Sequence, residues 1–305
     1  MVKIFLSFLS IFCIQILSAQ DNYLSLFRKG FFYLEVNDLK AIDFLSQAIS
    51  LDSSGAEPYF YRGIANYKAG YYSSSISDFE KASALDTALN RVYALKSFAH
   101  RKMGETEQAV QSFNIFLKKA ESDSSAYYYT TRGNLKIENN DYSGAIEDFN
   151  QASELSPDNE KVYYYRFHAN YKIGDYRKAL FEINHLITLN PYFYGYYLYR
   201  GNTKLALGDF KNANHDYTKS IQLNERNADA YYLRGIVNDT LLLLNTAMED
   251  YSKAIILKPE EGTYYSKRGN TKMKLGNKDG ACLDWTIAGE FGYYKDFDKI
   301  KKVCQ

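Results

Sequence analysis

Proline and cysteine are scarce in this chain, and both scarcities narrow what it can be. Only four prolines occur among 305 residues, which is typical of a largely helical protein because proline breaks helix interiors. The three cysteines are too few for a thiolate zinc site, which usually needs about four ligands. Tryptophan occurs once, whereas tyrosine occurs 30 times. With 46% hydrophobic and 24% charged residues, the composition is that of a folded protein.

Signatures of catalysis are also missing from the sequence. It contains no phosphate-binding glycine loop, nucleophile elbow or zinc motif. The four histidines lie apart, and none stands at the four-residue helical spacing of a metal site. We therefore predict no enzymatic activity, no metal and no cofactor. The histidines are His100, His168, His185 and His215.

The first 19 residues have the order of a secretory signal peptide. Lys3 precedes an apolar run from Ile4 to Leu17, and small residues lead up to Ala19. This run of about 14 residues is shorter than the roughly 20 that a membrane-spanning helix needs. We predict cleavage after Ala19 and export to the periplasm, the outer envelope or the medium. An uncleaved membrane anchor is the alternative.

Cleavage changes the charge and the cysteine count. Removing Lys3 leaves 36 of the 37 basic side chains against 36 acidic ones. This balance provides no long-range attraction to nucleic acid or to an anionic membrane, so we predict no nucleic-acid partner. Cys13 is lost with the signal, and Cys282 and Cys304 remain. In an oxidising compartment such an even pair predicts a disulfide.

A signature of a bulky, a basic and a small residue recurs along the chain. Its third residue is followed about seven residues later by Gly or Asn, which tolerate the left-handed conformation that closes a helix. Small and bulky residues spaced by four and then three form the apolar stripe of a second helix. The spacing between copies is 34 residues, and once 36. The third residues are Gly63, Ser97, Gly133, Phe167, Gly201, Gly235 and Gly269.

These residues and their 34-residue period resemble the tetratricopeptide repeat family. A weaker first copy is visible at Ala41, Leu45 and Ala48. The resemblance implies an all-α, right-handed superhelical solenoid of about eight antiparallel helix pairs, whose first helices line a concave groove. The charged C-terminal segment is predicted to form a cap helix, because terminal repeats need a polar outer face. The predicted boundaries are 1–19 for the signal, 20–290 for the solenoid and 291–305 for the cap.

Three departures from the repeat carry expectations of their own. Phe167 replaces the packing glycine of the fifth copy and is expected to hold its two helices further apart. An insertion near Glu121–Ser125 lengthens the third unit. The seventh turn is Leu241–Leu244, without Gly, Asn or Asp. Since a left-handed leucine costs about 1–2 kcal/mol, we expect that hairpin to be rebuilt with a longer helix or covered.

An arginine in the first helix and a carboxylate sixteen residues later recur together. The third copy loses both, with Lys96 and Ser112 in their places. This covariation predicts structural ion pairs between the helices of a pair rather than an anion-binding ladder. The predicted pairs are Arg62–Asp78, Arg132–Asp148, Arg166–Glu182, Arg200–Asp216, Arg234–Asp250 and Arg268–Asp284.

A second set of side chains lies at positions that, by the resemblance, face the groove. Aromatic rings with interleaved amides suit recognition of an extended peptide. These candidates are Phe60, Phe98, Asn134, Tyr164, His168, Tyr171, Asn202, Tyr232 and Asn270.

We therefore predict a non-enzymatic scaffold that binds a protein or peptide through this groove, with no small-molecule substrate. The alternative is a structural subunit of an envelope complex that uses the convex face and the 241–244 hairpin. Recognition of a glycan by the tyrosine-rich groove is a third hypothesis.

Overall fold

The structure, a computed structural model, describes residues 20–120 and 125–304. The predicted signal peptide and most of the insertion near Glu121–Ser125 lie outside these residues. Every regular element in the described ranges is helical. The elements are α1 (residues 20–33), α2 (Asp38–Leu51), α3 (Ala56–Lys68), α4 (Tyr72–Leu85), α5 (Arg91–Lys102), α6 (Thr106–Lys119), α7 (Ala126–Glu138), α8 (Tyr142–Leu155), α9 (Glu160–Lys172), α10 (Tyr176–Leu189), α11 (Tyr194–Ala206), α12 (Phe210–Leu223), α13 (Ala228–Thr240), α14 (Leu244–Leu257), α15 (Gly262–Lys274), α16 (Lys278–Glu290) and α17 (Phe297–Val303).

The chain divides into two compact units. Unit 1 ends at Leu155 and contains α1 to α8, whereas unit 2 begins at Ser156 and contains α9 to α17. In each unit, consecutive helices form four antiparallel pairs joined by tight turns. The odd-numbered helix of a pair is its first helix and the even-numbered one its second. The predicted all-α solenoid fold, with about eight helix pairs, is confirmed.

The turns within the pairs adopt the left-handed backbone that the Gly/Asn pattern predicts. Gly208 has φ +77° and Asn140 has φ +60°. Leu242 has φ +61°, and the Leu243 N–H donates to the Asn238 carbonyl at 2.8 Å, as in the other turns. The expectation of a rebuilt hairpin is therefore wrong, because α13 and α14 keep the usual 13 and 14 residues. No described residue of the chain covers Leu242, which is 75% exposed. The free-energy cost of one left-handed leucine is small compared with the cost of moving the following helices out of the 34-residue register.

The packing glycines let the two helices of a pair approach across an aromatic ring. A methyl group built on Gly133 would lie 2.5 Å from Phe149, whose ring is fully buried. The fifth pair reverses this arrangement: Phe167 is buried in the first helix, and Ile183 stands sixteen residues later. The large side chain has changed helices, and the smaller partner leaves room for it.

The C-terminal segment folds back onto the last pair. A 3-10 turn at Tyr294–Asp296 leads into α17. Lys299 Nζ donates to Asn270 Oδ1 at 2.8 Å and lies 5.6 Å from the centre of the Trp285 ring. The Cα atoms of Cys282 and Cys304 lie 5.7 Å apart, a separation that a disulfide can span. The segment is thus tied to both helices of the last pair.

Candidate interaction surface

The structure brings each predicted Arg–carboxylate pair into contact. An Arg Nη2 lies 2.5 to 2.9 Å from a carboxylate oxygen in all six. The carboxylates are buried, and each guanidinium also lies 5.1 to 5.8 Å from the centre of the tyrosine ring three residues earlier. Because these arginines are held between a ring and a buried acid, they do not form a ladder open to anions.

The buried carboxylate has a second partner that the sequence analysis did not predict. It stands four residues after the arginine, one helical turn further on the same face. Asn66 Nδ2 donates to Asp78 at 2.8 Å, and Lys204 Nζ lies 2.6 Å from Asp216. The signal was present, because an Asn or Lys follows each of the six arginines at this spacing. The full column is Asn66, Lys136, Asn170, Lys204, Asn238 and Lys272.

The fifth pair departs from this arrangement. Its acid is Glu182, and burial raises the pKa of that carboxyl while the Arg166 guanidinium opposes the rise. The side-chain oxygen of Asn170 is buried without a hydrogen bond to any described residue. The pair that carries Phe167 is therefore also the one whose polar network is least satisfied.

The same arginines connect neighbouring pairs. Arg62 Nη1 donates to Ser46 Oγ at 3.0 Å, and Arg200 Nη1 donates to Asn184 Oδ1 at 2.9 Å. Both acceptors belong to the second helix of the preceding pair. In the third pair Lys96 keeps only this connection, to Glu80 at 2.5 Å, since Ser112 stands where the carboxylate would be. An arginine that makes both bonds therefore links the second helix of its own pair to the second helix of the preceding pair.

Two of the predicted groove amides have structural partners instead. Asn202 Oδ1 accepts from the Tyr217 hydroxyl at 2.9 Å, and Asn270 Oδ1 accepts from Trp285 Nε1 at 3.2 Å as well as from Lys299. These two side chains therefore also hold the two helices of their pair together. The residue fifteen positions after Asn134 is Phe149, whose ring has no polar hydrogen to donate.

A cluster of four rings on α9 and α11 forms the most extensive aromatic surface among the predicted groove residues. We call it the aromatic wall: Tyr164, His168, Tyr171 and Tyr199. The His168 ring lies 4.4 Å from Tyr164 and 5.3 Å from Tyr199, and Phe167 supports Tyr171 from beneath at 6.0 Å. All four side chains are half-buried, so each keeps a face that a ligand can reach.

Burial favours the neutral forms of Tyr164 and His168 in the aromatic wall. Burial, with a hydrogen bond to Tyr199, raises the pKa of Tyr164 to about 12. Burial and the neighbouring Lys172 lower the pKa of His168 below its usual value. His168 Nε2 is also buried with no hydrogen-bond partner among the described residues. The wall therefore offers neutral rings to a ligand rather than a charge.

The remaining predicted groove residues are spread over other helices. Phe60 packs 6.2 Å from Phe79, and Phe98 packs 6.2 Å from Phe113. Phe98 also lines a cavity of about 340 Å³ between the first helices of unit 1. Tyr232 lies 4.7 Å from Tyr264 in unit 2. All three predicted aromatics are half-buried and serve partly as packing.

Within the described residues no group of three or more His, Cys, Asp or Glu side chains is arranged to hold a metal ion. In the same ranges, every helix falls short of the length and apolarity required to cross a bilayer.

Comparison with known proteins places these repeats in a family. The TPR repeat model matches residues 133–174. No curated protein matches the sequence significantly. The C-terminal part of a TPR repeat-containing protein from Cytophaga hutchinsonii is 15% identical, with a TM-score of 0.64 over 76% of this chain and 95% of its own. A tetratricopeptide repeat protein from Parabacteroides merdae is 20% identical, with a TM-score of 0.53 over 82% and 99%.

MamA from Desulfovibrio magneticus RS-1 is 21% identical, with a TM-score of 0.53 over 56% of this chain and 97% of its own. These likenesses concern the fold. Residues 133–174 carry the matched TPR repeat, and the eight helix pairs of the described residues have the fold of tetratricopeptide repeat solenoids.

Proposed function

We propose that this protein is a non-enzymatic scaffold that binds an extended peptide segment of a partner protein through the aromatic wall on α9 and α11. The tetratricopeptide fold is a protein-interaction fold, which supports the general part of this proposal. The aromatic wall supports the specific part. It presents four partly accessible aromatic rings, a composition favoured in the cores of protein interfaces.

The polar side chains of unit 2 support binding rather than catalysis. The conspicuous arginines and carboxylates are engaged with one another, and Asn202 and Asn270 are engaged with Tyr217 and Trp285. A partner at the aromatic wall would thus meet rings and a few amide groups, not an acid–base pair. Extended peptides fit such a surface because their side chains fill spaces between rings.

The test is selection of peptides from a random display library against the full chain, followed by measurement of Kd for the enriched sequences. The double variant His168→Ala/Tyr171→Ala is expected to weaken binding at least about tenfold, because truncated aromatic anchors commonly cost more than 1 kcal/mol each. Asn202 is left unchanged, since its loss would strand the Tyr217 hydroxyl.

The matched control is Phe181→Ala/Tyr192→Ala, which removes two aromatic rings that are 69% and 82% exposed outside the wall. It is expected to bind the selected peptides as the wild type does. Circular dichroism and melting establish that both variants are folded. If no peptide is enriched, or if the enriched peptides bind the wall variant undiminished, the proposal fails.

We also propose that the chain is exported and that Cys282 and Cys304 are oxidised after cleavage near Ala19. Closing a loop of this length is expected to stabilise the fold by about 3 kcal/mol on the chain-entropy model. Intact mass of the cellular protein reports both the N-terminus and the two hydrogens lost on oxidation. Melting with and without reductant reports the stabilisation. Protein that starts at Met1 and carries three alkylatable thiols would contradict both claims.

A further inference from the structure

An apolar row runs along the turns of unit 2. Ile173, Leu207, Leu241 and Leu275 occupy the same position in its four hairpins, and each is 41 to 46% exposed. At the third hairpin the row widens, since Leu242 is 75% exposed and Leu243 is 52% exposed. The repeat stacks these turns beside one another, and Lys274 reaches across to Asp239 of the preceding pair. The leucines therefore form one edge.

The leucines of the third hairpin stand at positions where they lower its local stability. Leu242 takes the left-handed conformation that Gly or Asn takes in the six other turns between paired helices from Gly70 onward. Leu243 stands at the start of α14 without a side-chain cap bond, whereas Asp175 and Asp209 cap α10 and α12. Within the described chain nothing covers these side chains. Strain and exposure without internal compensation are expected where a surface serves a ligand.

Charge is distributed unevenly between the edges of the two units. Seven residues at each turn of unit 2 (172–178, 206–212, 240–246 and 274–280) carry six Lys or Arg against three carboxylates. Two of these carboxylates, Asp175 and Asp209, are engaged in caps. The corresponding residues of unit 1 (34–40, 68–74, 102–108 and 138–144) carry three cations against six carboxylates. Although acidic and basic side chains nearly balance over the whole chain, the turn edge of unit 2 is basic and carries exposed leucines.

From this combination we infer that the turn edge of unit 2 docks onto a bilayer of anionic phospholipid, with Leu242 and Leu243 inserted among the acyl chains. Apolar side chains at the tip with cations around them are the pattern of proteins that lie on membranes without spanning them. Lys172, Arg177, Lys211 and Lys278 are exposed and form no ion pair with a described residue, so they are available to lipid phosphates.

The shape of the edge favours lipid over a folded partner. The leucines project from turns, the outermost points of the helix pairs, rather than lining an apolar cleft. Beside them lies an open cavity of about 440 Å³, with Lys211 and Asn214 among its polar lining and Leu241 and Leu243 at its apolar side. A lipid headgroup would contact the polar side of this cavity, and the acyl chains would contact its apolar side. The inference is independent of the aromatic wall.

The test is co-sedimentation of a protein comprising residues 20–305 with phospholipid vesicles. One set is phosphatidylcholine alone, and the other is an equimolar mixture with phosphatidylglycerol. The wild type is expected to bind the mixture, more weakly as salt rises. The variant Leu242→Gly/Leu243→Asp restores the Leu-Gly-Asp turn found at residues 207–209. It should melt no lower than the wild type, yet bind at least about tenfold more weakly because two inserted leucines are lost.

The matched control is Ile256→Asp, which adds the same charge and removes a side chain that is 72% exposed. It lies in the last turn of α14, about 18 Å along the helix from the hairpin, and should bind like the wild type. The inference is overturned if the wild type ignores both vesicles, binds both equally, or binds no better than the hairpin variant. It is also overturned if the hairpin mediates self-association in solution instead of binding vesicles.

Discussion

Replacing Asp216 with alanine is expected to lower the free energy of unfolding by about 3 kcal/mol. Asp216 is completely buried and accepts from Arg200 at 2.6 Å and from Lys204 at 2.6 Å. Removing a buried acid leaves its partners without compensation, which commonly costs about 3–5 kcal/mol. We take the lower end because both cations keep some access to water. Chemical denaturation of the wild type and the variant measures the loss.

A double-mutant cycle separates the pairing from the packing. Arg200→Ala and Asp216→Ala together are expected to cost less than the sum of the two single changes, because the second removes a group already deprived of its partner. The control is the exposed pair Asp175 and Lys178, for which the single changes should add nearly completely. Strict additivity at Arg200 and Asp216 would contradict the structural role of the column.

The second large effect concerns the volume shared by the two helices of a pair. Gly133→Phe is expected to destabilise the protein by about 3 kcal/mol, because even a methyl group there would lie 2.5 Å from the Phe149 ring. Adding Phe149→Ile copies the reversed arrangement of Phe167 and Ile183. The double variant is expected to recover to within about 1 kcal/mol of the wild type, as volume-conserving changes do.

Phe149→Ile alone completes this comparison. It is expected to cost about 2 kcal/mol through the unfilled volume. Denaturation curves of the three variants give the interaction energy directly. If the double variant is less stable than Gly133→Phe, the fifth pair owes its tolerance of Phe167 to something other than the exchange with Ile183.

Much of the fold could be predicted because the repeat supplied its own internal comparison. Arg62 and Asp78 recur together and are lost together in the third copy, which is the behaviour of two groups in contact. The same reasoning would have found Asn66, which follows Arg62 by one helical turn and donates to the same carboxylate. The signal is weaker at this position because the column alternates between Asn and Lys and does not repeat one charge.

The interaction surface was harder to predict, because a polar residue repeated on one face can serve a ligand or a neighbour. Asn202 and Asn270 were assigned to the groove, but they accept from Tyr217 and Trp285 fifteen residues later. A signal existed: these are the two second-helix aromatics with a polar hydrogen that stand opposite an Asn. Contacts across a pair decide which side chains remain available, and the groove positions alone do not contain that information.

Leu242 illustrates a different limit. The sequence indicates that a left-handed leucine is costly. It does not indicate whether Leu242 adopts that conformation or whether the neighbouring helices change length. Leu242 adopts it, because a longer helix would displace every later contact of unit 2, whereas one strained residue affects only itself. The conformational preference of this one residue is overridden by the periodic packing of the helices around it.

The double attachment of the arginines has a consequence for how unit 1 comes apart. In a linear array, stability is the sum of each element and its coupling to the next. Arg62 and Arg132 each add to both quantities, whereas Lys96 in α5 adds only to the coupling, through Glu80. The third pair is thus less stabilised by this column than the second and fourth pairs on either side of it. Among these three pairs, local opening is expected to begin between α5 and α6.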